Sequence, residues 1–183
     1  MQSATDGLAG EFLQHAGNGR IGEVERMLAR HPDLVHATGP HPFWGGRPQA
    51  LHVAIETGRR DLFDLLLRAG ADPSGRNNEY GHWSPLMLAI HRDQDAMRDA
   101  LRTAGARTGI VEALMLADDA LLESLLQQAG SLPEIVPNNG SLLNFARTPF
   151  AIDRLIELGA SIDLRDQWGT SPVESLSRLG ARG

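Results

Sequence analysis

Leu86-Met87-Leu88-Ala89 and Leu114-Met115-Leu116-Ala117 are the same four residues met twice in one chain, and Leu51-His52-Val53-Ala54 is a related stretch upstream. Leu51 and Leu86 are 35 residues apart, and a fixed spacing of this size marks an internal repeat. A unit this short cannot bury its apolar face alone and has to stack on its neighbours. The sequence therefore predicts a curved array of repeats with one continuous core and one long concave face.

The best copy of the repeat shows the parts of a unit. A short first helix is predicted over 49–55, Gly58 breaks it, and a second helix over 61–69 carries leucines at three-to-four spacing. Gly70 ends that helix because a glycine accepts the left-handed conformation common just past a helix C-terminus. Pro85 suits the first turn of the helix that opens the next copy.

The repeated residues resemble ankyrin repeats, in which a β-turn finger precedes two antiparallel helices over about 33 residues. The resemblance extends from about Gly7 to Leu179, and its motifs lie at 51–54, 70–72, 84–86, 155–160 and 166–170. It implies an all-α fold: an ankyrin-repeat solenoid of about five helix-pair repeats with β-turn fingers and a C-terminal half-repeat. After a short flexible N-terminus over 1–6, one domain over 7–183 is expected, with units at 7–48, 49–83, 84–109, 110–140 and 141–170 and a half-repeat at 171–179.

Three departures from the pattern mark the units that differ. The first finger is enlarged over 38–48, where Pro and Gly are frequent. The finger between Gly105 and Ile110 is nearly absent, because a helix has to begin almost at once to bring 114–117 into phase. The turns at 118–119 and 147–149 are compressed and lack the usual glycine.

Composition narrows the class of protein and of partner. The net charge is −6, all 17 basic residues are Arg, and no stretch gathers them into a phosphate-binding stripe, so no nucleic-acid partner is expected. With no Cys there is neither a disulfide nor a thiolate ligand. No apolar run is long enough for a membrane span and the first residues do not read as a secretory signal. We expect a cytoplasmic protein without a cofactor or a metal, and the exclusive use of Arg suggests a bacterial source.

The resemblance also implies where a partner binds, since fingers and the inner faces of first helices are exposed and concave. The predicted binding residues are His41, Phe43, Trp44, Glu56, Glu79, Tyr80, His82, Trp83, His91, Arg92, Asp118, Asp119, Arg147 and Trp168. If the compressed units align to the repeat pattern with a shift of one residue, other residues take the place of those predicted at 118, 119 and 147.

Aromatic residues gather in the predicted fingers. All three Trp, the single Tyr and Phe43 lie there, and because the first two fingers are neighbours, Phe43, Trp44, Tyr80 and Trp83 are placed to form one cluster. Exposed aromatics of this kind anchor partners by offering a large contact area at a small entropic cost. The alternative is that these side chains only pack the enlarged finger onto its neighbour.

The histidines carry a second hypothesis from another class. The resemblance gives His52 a structural role, holding a finger and a helix together by hydrogen bonds. His82 and His91 lie near aromatic fingers and acidic residues, and a histidine beside a carboxylate can transfer protons. A small-molecule site or an acid/base enzyme, with His82 or His91 as proton carrier and Glu79 or Asp119 as its partner, would need a pocket of about 300 Å³ between the first two fingers.

The first hypothesis is a non-catalytic module that binds another protein on its concave surface. The sequence contains no phosphate loop, no nucleophile elbow and no closely spaced metal ligands that would favour catalysis. The predicted acids at 56, 79, 118 and 119 would give a modest preference for a basic partner segment, and His91, Arg92 and Arg147 interrupt that acidic field.

Overall fold

The computed structural model describes residues 2–75, 79–133 and 136–180, and the side chains of residues 7–75, 79–133 and 136–177. Its α-helices are α1 Gln2–Gly17, α2 Ile21–Arg30, α3 Ala50–Glu56, α4 Arg60–Arg68, α5 Pro85–His91, α6 Asp95–Thr103, α7 Ile110–Met115, α8 Asp119–Ala129, α9 Pro149–Glu157 and α10 Pro172–Gly180. Short 3-10 helices lie at Pro32–His36, Pro137–Asn139 and Leu142–Phe145. The described residues form no β-strand longer than an isolated bridge, which confirms the predicted all-α class.

The chain divides into two compact units, Met1–Arg107 and Thr108–Gly183. The single domain over 7–183 and the number of repeats stay predictions. Helix α1 begins at Gln2, inside the segment 1–6 expected to be a flexible N-terminus. Within the described ranges, no helix is both long and apolar enough to cross a membrane.

In the first unit, each first helix packs on its own second helix, and neighbouring first helices pack on each other. Helix α1 contacts α2 and α3, α3 contacts α4 and α5, and α5 contacts α6. The largest fully buried side chains of this unit come from both members of the pairs: Phe12, Leu13, Leu51, Ile55, Leu62, Phe63, Leu66, Leu86 and Leu101. The helices predicted over 49–55 and 61–69 are confirmed, each displaced by one residue.

In the second unit, a 3-10 helix takes the place of one first helix. Helix α7 packs on α8 and on Leu142–Phe145, which in turn packs on α9 and α10. Ser141 caps Leu142–Phe145 by accepting from the backbone N–H of Leu143, and Ala146 is already extended. Because Thr148 precedes Pro149, its backbone is pushed away from the helical region as well. The predicted pair over 141–170 therefore has only four residues in its first member.

The structure corrects the phase of the repeated tetrapeptide. Residues 86–89 begin at the second position of α5, but α7 starts at Ile110, so 114–117 spans the end of a helix and the turn after it. The cause is a cap at Gly109: the Glu112 carboxylate accepts from the backbone N–H of Gly109, which is the half of a capping box that a glycine allows, and α7 starts early. The two identical stretches therefore do not share a helical setting.

The turns inside the helix pairs share one backbone feature. Between α1 and α2, α3 and α4, α5 and α6, and α7 and α8, a single residue is left-handed: Gly19, Gly58, Asp93 and Ala117, with φ of 69°, 65°, 54° and 56°. The predicted break at Gly58 is thus confirmed. A residue with a Cβ is strained in this region by about 1 kcal/mol, so Ala117 is the least suited of the four.

Ala117→Gly should therefore raise the free energy of unfolding by about 0.5–1 kcal/mol, since Ala117 is exposed and loses no packing. The matched control is Ala120→Gly, at an exposed position in the first turn of α8, which should lower it because glycine has more backbone freedom to lose on folding. Urea unfolding followed by circular dichroism measures both. Destabilisation by both substitutions would contradict the assigned strain.

His52 ties α3 to the second finger. Its ring is fully buried, and its Nε2 lies 3.1 Å from the carbonyl oxygen of Trp83, to which it donates as an N–H. Burial lowers the pKa of His52 from 6.5 to about 4, against the opposing effect of the Trp83 hydrogen bond. The structural role expected for His52 is confirmed by this contact.

Acid should weaken the fold through His52. The unfolded chain takes up a proton below pH 6.5, whereas the folded chain stays neutral down to about pH 4. Lowering the pH from 7 to 4 therefore removes on the order of 3 kcal/mol of stability through this residue. His52→Gln keeps a donor for the Trp83 carbonyl but does not titrate, so its unfolding free energy in urea should fall less between these pH values. An equal fall in both proteins would exclude His52 as the source.

Candidate functional site

The first finger runs from Thr38 to Gln49, which pair through their backbones, and the N–H of His41 donates to the carbonyl of Gly46. Arg47 joins the first finger to the second finger. The backbones of Arg47 and Glu79 exchange two hydrogen bonds, of 3.3 Å and 3.2 Å, and their side chains form an ion pair at 3.2 Å. The two fingers are therefore neighbours, as predicted.

Gly46 allows the fingers to approach each other. Its φ is 94°, and a Cβ at this position would lie 2.6 Å from the ring of Tyr80. Only a residue without a side chain accepts both the backbone conformation and the ring. Tyr80 thereby packs against the backbone of the first finger, and its hydroxyl reaches Glu56.

A buried carboxylate lies under the two fingers. Glu56 ends α3 and its side chain is only 2% exposed. Three donors from separate segments surround it: His41 Nε2 at 2.8 Å from Oε2, the Tyr80 hydroxyl at 2.9 Å from Oε1, and Arg92 Nη2 at 3.4 Å from Oε1. A buried charge is tolerated only when it is paired in this way.

The hydrogen bonds of His41 determine its tautomer. Its Nδ1 accepts the backbone N–H groups of Phe43 at 3.1 Å and Trp44 at 3.3 Å. Since Nδ1 is an acceptor, the proton lies on Nε2, which donates to Glu56. Neutral His41, whose side chain is fully buried, thus links the tip of the first finger to the buried carboxylate.

Phe43 and Trp44 lie above this network and together form what we call the finger platform. The Trp44 ring stacks on His41, with centroids 4.3 Å apart and planes 17° apart, and its Nε1–H donates to the Tyr80 hydroxyl at 2.7 Å. The Phe43 ring lies 5.8 Å from Trp44, tilted by 47°. Phe43 is 50% exposed and Trp44 48%. Two aromatic side chains are therefore held in place with about half their surface in solvent.

The environment of Tyr80 perturbs its titration. Burial raises the pKa of its hydroxyl to about 12, and the adjacent Glu56 carboxylate acts in the same direction while the Trp44 hydrogen bond opposes it. The hydroxyl is thus a permanent donor to Glu56 and a permanent acceptor from Trp44 over the physiological range.

The remaining predicted residues of the first unit surround the platform in different ways. His82 is exposed with a left-handed backbone, φ 61°, and His91 is exposed with its ring 5.3 Å from that of Trp83. Arg92 is partly exposed and reaches Glu56, whereas Glu79 is ion-paired with Arg47. His41 and Glu56, predicted to line the surface, are instead buried beneath it.

Four predicted binding residues lie in the second unit. Asp118 caps α8 by accepting from the backbone N–H of Leu121, and Asp119 accepts from the Thr148 hydroxyl at 2.6 Å. Arg147 is half-buried, and Trp168 is 68% exposed at a finger tip. The contacts of Asp118 and Asp119 are those of helix and turn stabilisation.

Sequence reasoning missed the burial of His41 and Glu56, which are fifteen residues apart. Nothing local marks a charged residue at the end of a helix as buried, because the covering groups come from both fingers. Among the described residues, no three His, Asp or Glu side chains converge on a point where a metal would bind. A depression of about 200 Å³ lies between α1 and α2, where it is lined by Glu11, His15, Arg30 and other side chains. The pocket predicted between the first two fingers stays a prediction.

Comparison with known proteins adds one finding. Residues 50–78 match the family model described as ankyrin repeat. The matched segment holds α3 and α4, and with them Glu56, the buried carboxylate of the network beneath the finger platform. No curated protein matches the chain.

The single tyrosine of the chain makes the buried network directly measurable. In the folded protein the absorbance of phenolate at 295 nm should rise with a midpoint near pH 12, whereas in urea it should rise near pH 10. Glu56→Gln removes the neighbouring charge and should move the folded midpoint downward. A folded midpoint near 10 in the unaltered protein would show that Tyr80 is not held in this site.

Proposed function

We propose that this chain, which is an ankyrin-repeat protein, binds a protein partner through its finger platform, Phe43 and Trp44. Ankyrin repeats generally mediate interactions between proteins. We also propose that the chain acts in the cytoplasm.

The observation that carries the proposal is the contrast between the exposed rings and their buried support. A finger that merely packed on its neighbour would place Phe43 and Trp44 inside, yet each is about half exposed. Their backbone N–H groups are held by His41, and the indole N–H of Trp44 by Tyr80. A partner therefore meets rings that are already ordered, and binding loses little side-chain entropy.

The same contacts indicate what the partner supplies. Since the Trp44 N–H already has an acceptor, the platform offers apolar ring surface rather than a hydrogen bond. An aliphatic or aromatic side chain of the partner is the expected anchor, because burying apolar area contributes about 25 cal/mol per Å². A basic partner segment stays a prediction, and the satisfied state of Glu56 and Glu79 gives it little support.

The acid/base alternative gains no support from the geometry of the first unit. In the first unit, the described contacts between a histidine and a carboxylate are those of His41 and His15, not of the predicted His82 and His91. His41 and Glu56 are buried out of reach of a substrate, and His15 lies 3.6 Å from Glu11 on the same face of α1. The predicted base partner Glu79 is paired with Arg47. We therefore advance no second function.

A test compares Phe43→Ala, Trp44→Ala and the unaltered protein as baits. Proteins enriched by the unaltered bait are identified by mass spectrometry, and the affinity of each purified candidate is measured by calorimetry. Each substitution should weaken binding by about thirtyfold or more, the loss of roughly 2 kcal/mol typical of an anchor residue.

Trp168→Ala is the control, since it removes an indole that is more exposed than that of Trp44, 68% against 48%, from another finger. It should leave the affinity unchanged, and circular dichroism should show that all three variants fold. A partner that binds the Phe43 and Trp44 variants as tightly as the unaltered protein would contradict the proposed surface.

A further inference from the structure

The tip of the first finger, residues 42–45, is held by one ring nitrogen. Nδ1 of His41 accepts the backbone N–H groups of both Phe43 and Trp44, and neither N–H has another acceptor among the described residues. Pro42 has no N–H of its own, so these two are the first donors that the chain offers after His41. The backbone of the finger platform therefore depends on a lone pair that a proton can occupy.

The other nitrogen of the ring decides where an added proton goes. Nε2 already carries a proton, which it donates to Glu56 across 2.8 Å. A second proton therefore binds Nδ1 and turns it from an acceptor into a donor. Three donors then meet without an acceptor, in a place where the side chain of His41 is fully buried. Because buried donors without a partner are costly, the charged ring and the present conformation of the tip exclude each other.

The surroundings make the tip, and not the ring, the part that gives way. The Glu56 carboxylate attracts a charged imidazole and holds it in place through Nε2. The tip is followed directly by two glycines, which have the greatest backbone freedom. A Cβ on the first of them, Gly45, would meet no atom within 4 Å, so there is room for movement. Phe43 is the residue most dependent on Nδ1, since its side chain makes no hydrogen bond, whereas the Trp44 indole is also bonded to Tyr80.

The charged and titratable groups around His41 come from α3, from the two fingers and from the end of α5. They are Glu56 and His52 on α3, Arg47 on the first finger, Glu79 and Tyr80 on the second, and Arg92. The residues of α1 that meet the first finger are Gly10, Leu13, Gln14 and Gly17, which do not titrate. Arg76 lies outside the described residues. None of these groups alters the geometric conflict, which is set by the two N–H groups at Nδ1.

We infer that the finger platform is a pH-sensitive switch, in which uptake of a proton by Nδ1 of His41 releases the backbone of Phe43 and Trp44. The two rings have one fixed arrangement at neutral pH and lose it in acid. Histidine is the side chain whose charge normally changes between about pH 5 and 8, and the switch acts in that range. Release of a bound partner in acid rests on the proposed function, but the change in the tip does not.

Nuclear magnetic resonance of the protein alone tests the switch. At about pH 8 the nitrogen shifts of the His41 ring should show a neutral ring with its proton on Nε2. As the pH falls to about 5, the backbone amide signals of Phe43 and Trp44 should change along the same curve as the ring. The amides of Leu62 and Leu66 in the core should stay constant, and they report separately any loss of stability through His52.

Three results of this titration would overturn the inference. In the first, His41 stays neutral over the whole range. In the second, the ring takes up a proton while the amides of Phe43 and Trp44 do not change. In the third, the tip and core signals change together, because the protein then unfolds as a whole.

A pair of substitutions assigns the response to His41. His41→Asn keeps a side-chain oxygen for the N–H groups that follow it, as in an Asx turn, but cannot take up a proton. The amides of Phe43 and Trp44 should then stay constant between about pH 8 and 5. His82→Asn is the matched control, since it removes an exposed histidine of the second finger whose left-handed backbone asparagine tolerates. It should keep the response of the unaltered protein, and the reverse result in the two variants would overturn the inference.

A partner captured through Phe43 and Trp44 extends the test to binding. Its affinity should be weaker by about tenfold or more at about pH 5.5 than at about pH 7.5, and His41→Asn should reduce this difference. An equal difference in both proteins would assign the pH dependence to the partner and overturn release through the switch. Failure to capture any partner would contradict the proposed function, whereas the titration of the protein alone still decides whether the switch exists.

Discussion

The buried carboxylate of Glu56 is the constraint on which the first two fingers depend. A charge withdrawn from water needs donors, and the three that meet it come from the first finger, the second finger and the end of α5. Removing any one leaves the charge undercompensated, which costs more than the bond itself contributes. His41, Tyr80 and Arg92 are therefore coupled to each other through one residue, and the relative position of the fingers follows from that coupling.

This constraint also explains why the rings of Phe43 and Trp44 face solvent. The volume beneath the first finger is occupied by the rings of His41 and Tyr80, which stack with centroids 5.6 Å apart. Trp44 packs on the outer side of that stack, and the backbone of Phe43 is tied to His41. The finger thus has a polar interior and an apolar exterior, the reverse of the usual arrangement. Such an inversion is stable only because every polar group inside it is satisfied.

The sequence predicted best what short-range chemistry decides. The helices around Gly58 and the contact of His52 follow from leucine spacing, a glycine turn and a repeat motif, and they lie within a residue or two of expectation. The prediction from sequence failed where contacts between residues far apart in the chain determine the structure. The burial of Glu56 depends on groups supplied by separate fingers, and the early start of α7 depends on the Glu112 cap rather than on the repeated letters. The left-handed Ala117 shows that a turn can keep its shape after losing its glycine.

Two kinds of exposed apolar surface therefore occur in this chain for opposite reasons. Phe43 and Trp44 are exposed because a filled interior leaves no room for them, so their positions are fixed before any partner arrives. Val173 is the second residue of α10 as Leu86 is of α5, yet Val173 is 63% exposed and Leu86 1%. The local sequence does not distinguish the position of Leu86 from that of Val173. What a repeat exposes is thus determined by what stacks beside it.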